Sequence, residues 1–387
     1  MNRRVFLQSA NMAAISLAAG GGLLGCVKKP VGPAIAAGAL PVNLPETACH
    51  LPRVRVSPER EIRTVVGLRP FRPSGFRVAK EMVGETAVVH NYGHGGGGIT
   101  LSWGTSKLAV DLGLPGHVGP VAVLGCGAVG LATARLAQET GFDVTIYTKA
   151  MPPETTSNIA GGQWYPASVY DPDQTLTPEF REQFVAAARY GYRRYQIMTD
   201  SKYGVRWMRN YFIKNSPWQS TTSSGDFGLI NDLLPEIKNL PAGSHPFGTK
   251  YVRQFDGMIV ESPIYLPAML TDVRIAGGKV VVREMKSLDE VRGLREKLVF
   301  NCTGLGAKAL FGDEELTPIR GQLTFLVPQP EVTYATSFEN TYMFSRRDGV
   351  LLGGTHEMGD WNLQPDLTTK AAILAKQASL FDGMRDC

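Results

Sequence analysis

The chain has 387 residues, 43% of them hydrophobic and 19% charged, which is ample material for a large buried core and unlike a disordered or fibrous chain. Part of its formal charge of +5 sits near the start, in Arg3, Arg4, Lys28 and Lys29. The remainder is close to neutral and lacks the basic stripe that nucleic acid requires, so small molecules are the expected partners.

In chain order, Arg3-Arg4 precedes an alanine- and glycine-rich apolar run from Ser9 to Leu24 that is too short and too soft to span a bilayer. The pattern resembles a twin-arginine export signal. Leu23-Leu24-Gly25-Cys26 resembles a lipoprotein cleavage box, in which Cys26 becomes the lipidated first residue of an anchored periplasmic protein. The expected organisation therefore begins with a signal over 1–26 and a Gly/Pro/Ala-rich tether over 27–48.

The stretch His90-Asn91-Tyr92-Gly93-His94-Gly95-Gly96-Gly97-Gly98, followed by Ile99-Thr100, carries glycines at a density that brings backbone against a flat ligand. A helix is expected from about Gly98 to Leu112, then a linker from Gly113 to Pro120. Val121–Leu124, the glycines 125, 127 and 130, a helical pattern over Ala128–Thr140 and the run Val144–Tyr147 read as strand, tight turn, helix and strand. In such a unit the first glycine permits the turn, the second admits a pyrophosphate, and the third lets helix pack on strand. The acidic residue that usually grips the adenosine ribose is missing, because Thr148-Lys149 occupies its place. Lys149 invites a 2′-phosphate and Thr148 offers a hydroxyl, so the ribose contact stays unassigned.

Thr155-Thr156-Ser157 and Gly161-Gly162-Gln163-Trp164 then supply hydroxyls and further glycines. Pro178–Ile197 is expected to be a helix whose Phe184, Ala188, Tyr192 and Tyr195 pack in the core. Short strands at Val280–Val282 and Gly349–Leu352 fit an antiparallel sheet. Leu298–Asn301 runs into Cys302-Thr303-Gly304, and both Cys302 and Cys126 read as small buried residues rather than nucleophiles.

These segments, with Arg320-Gly321-Gln322, Gly353-Gly354-Thr355 and Gly359-Asp360-Trp361, resemble the D-amino acid oxidase family. The resemblance implies an α/β two-domain flavoprotein. A Rossmann-like FAD-binding domain would span 74–162 and 262–325, and an antiparallel-sheet substrate domain 49–73, 163–261 and 326–387. It implies FAD, with no metal, held by Gly125, Gly127, Ala128, Val129, Gly130 and Thr148, by Thr155, Thr156, Ser157, Gly161, Gly162, Gln163 and Trp164, by Gly95, Gly96, Gly97, Gly98, Ile99 and Thr100, and by Thr303 and Gly304. Arg69, within Gly67-Leu68-Arg69-Pro70, falls on the family position that holds the substrate carboxylate, where a planar fork gives two parallel hydrogen bonds. Tyr251 is placed on a phenol that contacts the same carboxylate, and the Gly96 carbonyl on the substrate amine. Gly97 replaces an aromatic residue, and no lid tyrosine is evident over 244–250.

The order of the landmarks differs from the family. The part from about 49 to 113 normally follows the part ending at 387, so the chain resembles a circularly permuted member. Cys49 and Cys387 would then lie side by side, either as a disulfide, which an oxidising periplasm permits and which adds about 4 to 5 kcal/mol in the chain-entropy model, or as two unrelated thiols.

The implied activity is hydride transfer from the α-carbon of a D-amino acid to flavin N5, giving a 2-oxo acid and ammonia, with oxygen or another acceptor taking the electrons. His90 and His94 are expected to hold the glycine loop rather than act as bases. The alternatives are an amine or amino acid dehydrogenase, including one for glycine or sarcosine, and a lipid-anchored flavoprotein that binds amino acids without turnover. A homodimer is left open.

Overall fold

The computed structural model describes residues 48–218 and 228–387. The expected signal and all but the last residue of the expected tether lie outside the described residues.

Two sheets organise the chain among the described residues. The smaller runs in the order β2 (Arg77–Val83), β3 (Thr86–Tyr92), β10 (Leu298–Asn301), β4 (Val121–Leu124), β5 (Val144–Thr148) and β9 (Lys279–Val282). From β3 to β9 every pairing is parallel, and β2 returns antiparallel on β3. Parallel strands buried on both faces read as continuous apolar runs, and Val121–Leu124 and Leu298–Asn301 are buried throughout.

The larger sheet runs β1 (Glu61–Phe71), β11 (Thr317–Leu326), β14 (Gly349–Gly353), β13 (Thr341–Arg346), β12 (Tyr334–Phe338), β6 (Val205–Lys214), β8 (Tyr251–Val260) and β7 (Lys238–Leu240), with β15 (Glu357–Met358) also on β11. Its pairings are antiparallel except β12 on β6.

Two segments fall elsewhere than the sequence reading put them. Val280–Val282 joins the parallel sheet as its edge, because the helix before it returns the chain in the same direction as β5. Residues 317–325, placed on the cofactor side, form β11 and pair with β1 along their whole length.

The helices are α1 (Gly98–Gly113), α2 (Ala128–Glu139), α3 (Thr156–Ile159), α4 (Pro178–Ile197), α5 (Ser262–Ile275), α6 (Leu288–Arg292), α7 (Gly306–Phe311) and α8 (Leu367–Asp382). Thr177 caps α4 by accepting from the Phe180 N–H at 3.2 Å, and Pro178 occupies its first turn, where a missing N–H costs nothing. Helices α1 and α4 cross at glycines: a Cβ on Gly104 would stand 1.9 Å from the Ala187 carbonyl oxygen, and one on Gly191 2.9 Å from that of Thr100. Around this crossing Trp103 donates to the Tyr265 hydroxyl at 2.8 Å, and Tyr195 donates to the Ile99 carbonyl at 2.8 Å. Truncating a buried tryptophan of this kind costs about 3–5 kcal/mol. Phe184, Ala188, Tyr192 and Tyr195 lie in the same core, as expected.

Cys49 and Cys387 are joined by a disulfide across 338 residues, with Cα atoms 5.2 Å apart. Of the two arrangements the sequence left open, the structure contains the bond.

Candidate active site

One cavity of about 1820 Å³ extends between the two sheets. Single small-molecule pockets occupy roughly 300–1,000 Å³, so this one has room for a dinucleotide and a substrate together.

Its phosphate end is built by the turn between β4 and α2. Gly125 has φ +107° and donates its N–H to the Tyr147 carbonyl at 2.8 Å, while a Cβ there would stand 2.5 Å from the Cys302 carbonyl oxygen. A Cβ on Gly127 would reach within 2.9 Å of Ser157 Oγ, which accepts the Ala128 N–H at 3.0 Å. A Cβ on Gly130 would come within 2.0 Å of the Gly125 carbonyl oxygen, so this glycine lets helix pack on turn and does not line the cavity. Gly125, Gly127, Ala128, Val129, Thr148, Thr155, Thr156 and Ser157 do line it. The result is a helix N-terminus ringed by hydroxyls, an arrangement that fits a pyrophosphate.

The middle of the cavity is floored by two glycine segments. Gly162 has φ +89°, and its carbonyl accepts the Val260 N–H at 2.7 Å, which fastens the 161–163 segment to β8. Arg346, fully buried, donates to the carbonyls of Ala160 at 2.8 Å and Gly161 at 3.3 Å. Opposite, the Gly96 N–H donates to the Ser168 carbonyl at 3.3 Å, and a Cβ on Gly96 would stand 2.5 Å from that of Ala167. Gly95, Gly96, Gly98, Ile99, Gly161, Gly162, Gln163, Thr303 and Gly304 line the cavity. Gly97, Thr100 and Trp164 stand behind the wall: a Cβ on Gly97 would meet Val169 at 2.7 Å, Thr100 Oγ1 accepts the Tyr165 N–H at 3.1 Å, and Trp164 packs edge-on against Tyr192.

Thr303 is set by a chain of hydrogen bonds. Asn301 Oδ1 accepts from the Thr303 hydroxyl at 2.7 Å, and Asn301 Nδ2 donates to Nδ1 of buried His90 at 3.0 Å. Burial lowers the His90 pKa, with Arg77 acting in the same direction, and burial pushes His94 down to about 3. His94 stacks on Phe76 and pairs with Thr105 Oγ1 at 2.8 Å. His94 thus braces the glycine loop, and His90 braces Asn301. Burial also pushes the Cys126 and Cys302 thiols up to about 12, which makes them poor nucleophiles.

At the other end Arg69, on β1, lines the cavity and donates Nη1 to the Thr355 carbonyl at 3.2 Å. Among the described residues this is its one hydrogen bond, leaving the other donors of the fork for a ligand. Tyr342, on β13, stacks on Phe344 at 4.8 Å and packs against Gly353 and Gly354, next to Thr355. His356, whose pKa is lowered first by burial and then by Arg69, completes this wall with Tyr165 and Phe212.

Tyr251 does not belong to it. It opens β8 opposite Lys214, two residues past the Phe212–Arg253 pair, and does not line the cavity. The phenol on the wall formed with Thr355, the partner of Arg69, is Tyr342, whose hydroxyl lies against Gly354 and which the sequence reading does not mark as a site residue. Its signal was the Gly353-Gly354 pair, whose missing side chains make room for the ring.

A family model described as FAD dependent oxidoreductase, DAO, matches residues 17–112 and 120–387. A D-amino-acid oxidase of Rubrobacter xylanophilus is 30% identical over 276 residues, covering 68% of this chain and 77% of that protein. Human D-aspartate oxidase is 30% identical over 267 residues, covering 67% and 75%. Among solved structures, L-proline dehydrogenase from P. horikoshii shares the fold with a TM-score of 0.51 at 16% identity, covering 68% of this chain and 77% of that one. The chain belongs to the DAO family of FAD dependent oxidoreductases. Its cofactor is FAD, which the glycine cradle and the hydroxyl-ringed helix N-terminus fit.

Proposed function

We propose that the protein oxidises D-amino acids to 2-oxo acids and ammonia, with oxygen as the acceptor. The observation that carries this reading is Arg69, a cationic fork with open donors at one end of a cavity whose other end suits a pyrophosphate. Bound FAD supplies a two-electron acceptor for the α-hydrogen of the substrate. The chain's own residues position the reactant: Arg69 takes the carboxylate in paired hydrogen bonds, the Tyr342 hydroxyl donates to the same group, and the Gly96 carbonyl accepts from the amine. No protein base is needed for an amine that arrives neutral, in keeping with the bracing roles of His90 and His94. Relatives named D-amino-acid oxidase and D-aspartate oxidase support the substrate class.

The test is anaerobic bleaching of the flavin spectrum by D- and L-amino acids, glycine and sarcosine. Bleaching by D-forms alone, followed by recovery in air with hydrogen peroxide formed, is expected. Bleaching without recovery in air would replace oxygen by another acceptor, and bleaching by no amino acid would overturn the reading.

The family order is, on our reading, rotated in this chain, and the protein is exported by the twin-arginine route and held by a lipid at Cys26. The two blocks matched by the family model, split at the linker between α1 and β4, support the rotation. The Cys49–Cys387 disulfide supports an oxidising compartment.

A further inference from the structure

We infer that Glu284 accepts the hydroxyls of the adenosine ribose of FAD, a task that dinucleotide folds usually give to a carboxylate at the end of the second strand of the unit. Here that strand is β5, which ends in Thr148 and is followed by Lys149. The Thr148 side chain is turned inward: only 6% of the residue is exposed, and its hydroxyl donates to the Ala150 carbonyl at 2.6 Å.

The neighbouring strand supplies the missing group. β9 lies parallel to β5 with Val282 opposite Thr148, and the Arg283 N–H extends the pairing by donating to the Thr148 carbonyl at 2.8 Å. Glu284 follows at once and lines the same cavity as Thr148 and Lys149. Parallel strands stand about 4.8 Å apart, so a carboxylate from β9 must cross that gap, which the extra methylene of glutamate over aspartate helps it do. Its one ion pair among the described residues is with Lys149 Nζ, at 3.8 Å, with both side chains at least half exposed. Such a contact orients the carboxylate without occupying its lone pairs. It also gives Lys149 a role other than gripping a 2′-phosphate, which the Glu284 charge would repel.

Glu154 also lines the cavity and makes no ion pair among the described residues. It precedes Thr155–Ser157, whose hydroxyls face the pyrophosphate end, and a carboxylate there would repel the phosphates. Substituting Glu154 is therefore the control.

The experiment is fluorescence titration of the deflavinated protein with FAD and with FMN, which lacks the adenosine. Glu284→Gln is expected to weaken FAD binding at least tenfold and leave FMN binding within twofold of wild type. Glu284→Asp, which keeps the charge and loses reach, is expected to weaken FAD similarly, and Glu154→Gln is expected to leave both unchanged. Unchanged FAD affinity in Glu284→Gln, an equal loss for FAD and FMN, or a loss confined to Glu154→Gln would each overturn the inference. A wild-type protein that binds FMN but not FAD would instead overturn the cofactor assignment on which the inference rests.

Discussion

Gly321 lies against the guanidinium of Arg69: a Cβ built on it would stand 2.5 Å from Nη2 and 2.7 Å from Cζ. The two residues sit on neighbouring strands, with Gly67 directly opposite Gly321 and Arg69 opposite Ile319. The absent side chain is what allows the arginine to lie flat along the cavity wall. Gly321→Ala should therefore move the guanidinium and spare the flavin site. KM for the amino acid is expected to rise about tenfold, roughly one charge-assisted hydrogen bond, with flavin content unchanged. Arg69→Lys should cost kcat/KM more, about tenfold to a hundredfold, because a point charge cannot bind in parallel pairs. Steady-state kinetics with flavin occupancy measured alongside checks both, and an unaltered KM in Gly321→Ala would refute the relationship.

The two tyrosines make opposite predictions. Tyr342 borders the Arg69 end of the cavity and Tyr251 does not line it. Tyr342→Phe is expected to lower kcat/KM by about five- to tenfold through loss of one hydrogen bond, whereas Tyr251→Phe should stay within twofold of wild type. The reverse pattern would return the role to Tyr251.

Much of this site was legible in the chain because its signals are local. The unit from β4 through α2 to β5 is contiguous, and its glycines are spaced by backbone geometry alone, so Gly125 makes the turn and Gly130 lets the helix pack on it. Arg69 is marked by the local motif Gly67-Leu68-Arg69-Pro70, which resembles the family's carboxylate-binding segment. Tyr342 left only the local trace of the Gly353-Gly354 pair against its ring, and Glu284 was not legible, because β9 reaches the cavity wall only by pairing with β5, far from it in sequence. For the same reason 317–325 was placed with the wrong sheet, since nothing within the segment reveals that β1 will be its neighbour. Tyr251 is placed by its spacing to Gly257 and Glu261 alone, and that spacing does not reveal that the residue opens β8 opposite Lys214, off the cavity wall.

Acid should destabilise the protein through its buried imidazoles. Burial holds His94 at about 3, against roughly 6.5 in an unfolded chain. Between those values the unfolded state binds a proton that the folded state refuses, so stability is complete above pH ~6.5 and falls as the pH drops toward 3. His90 and His245 are shifted in the same direction by burial and add to the effect. Thermal unfolding of His94→Gln should show a shallower loss between pH 7.5 and 5 than wild type. Parallel slopes would show that His94 contributes nothing to it.

The disulfide should be worth up to about 6 kcal/mol in the chain-entropy model, given the 338 residues it spans. Cys49→Ser, Cys387→Ser and the double substitution should be destabilised equally, because each removes the same single bond. Urea unfolding monitored by tryptophan fluorescence, with and without reductant, tests this. Reductant should bring wild type down to the level of the variants and leave the variants where they are.

The same bond makes everything from residue 49 to residue 387 a closed covalent loop. One backbone cut inside a loop of this kind yields no fragment, because it only moves the place where the chain is open. A nicked molecule gains only the mass of one water and both sheets stay tethered to each other around the flavin cavity, so losing a piece of this body takes two cuts, or one cut and a reductant.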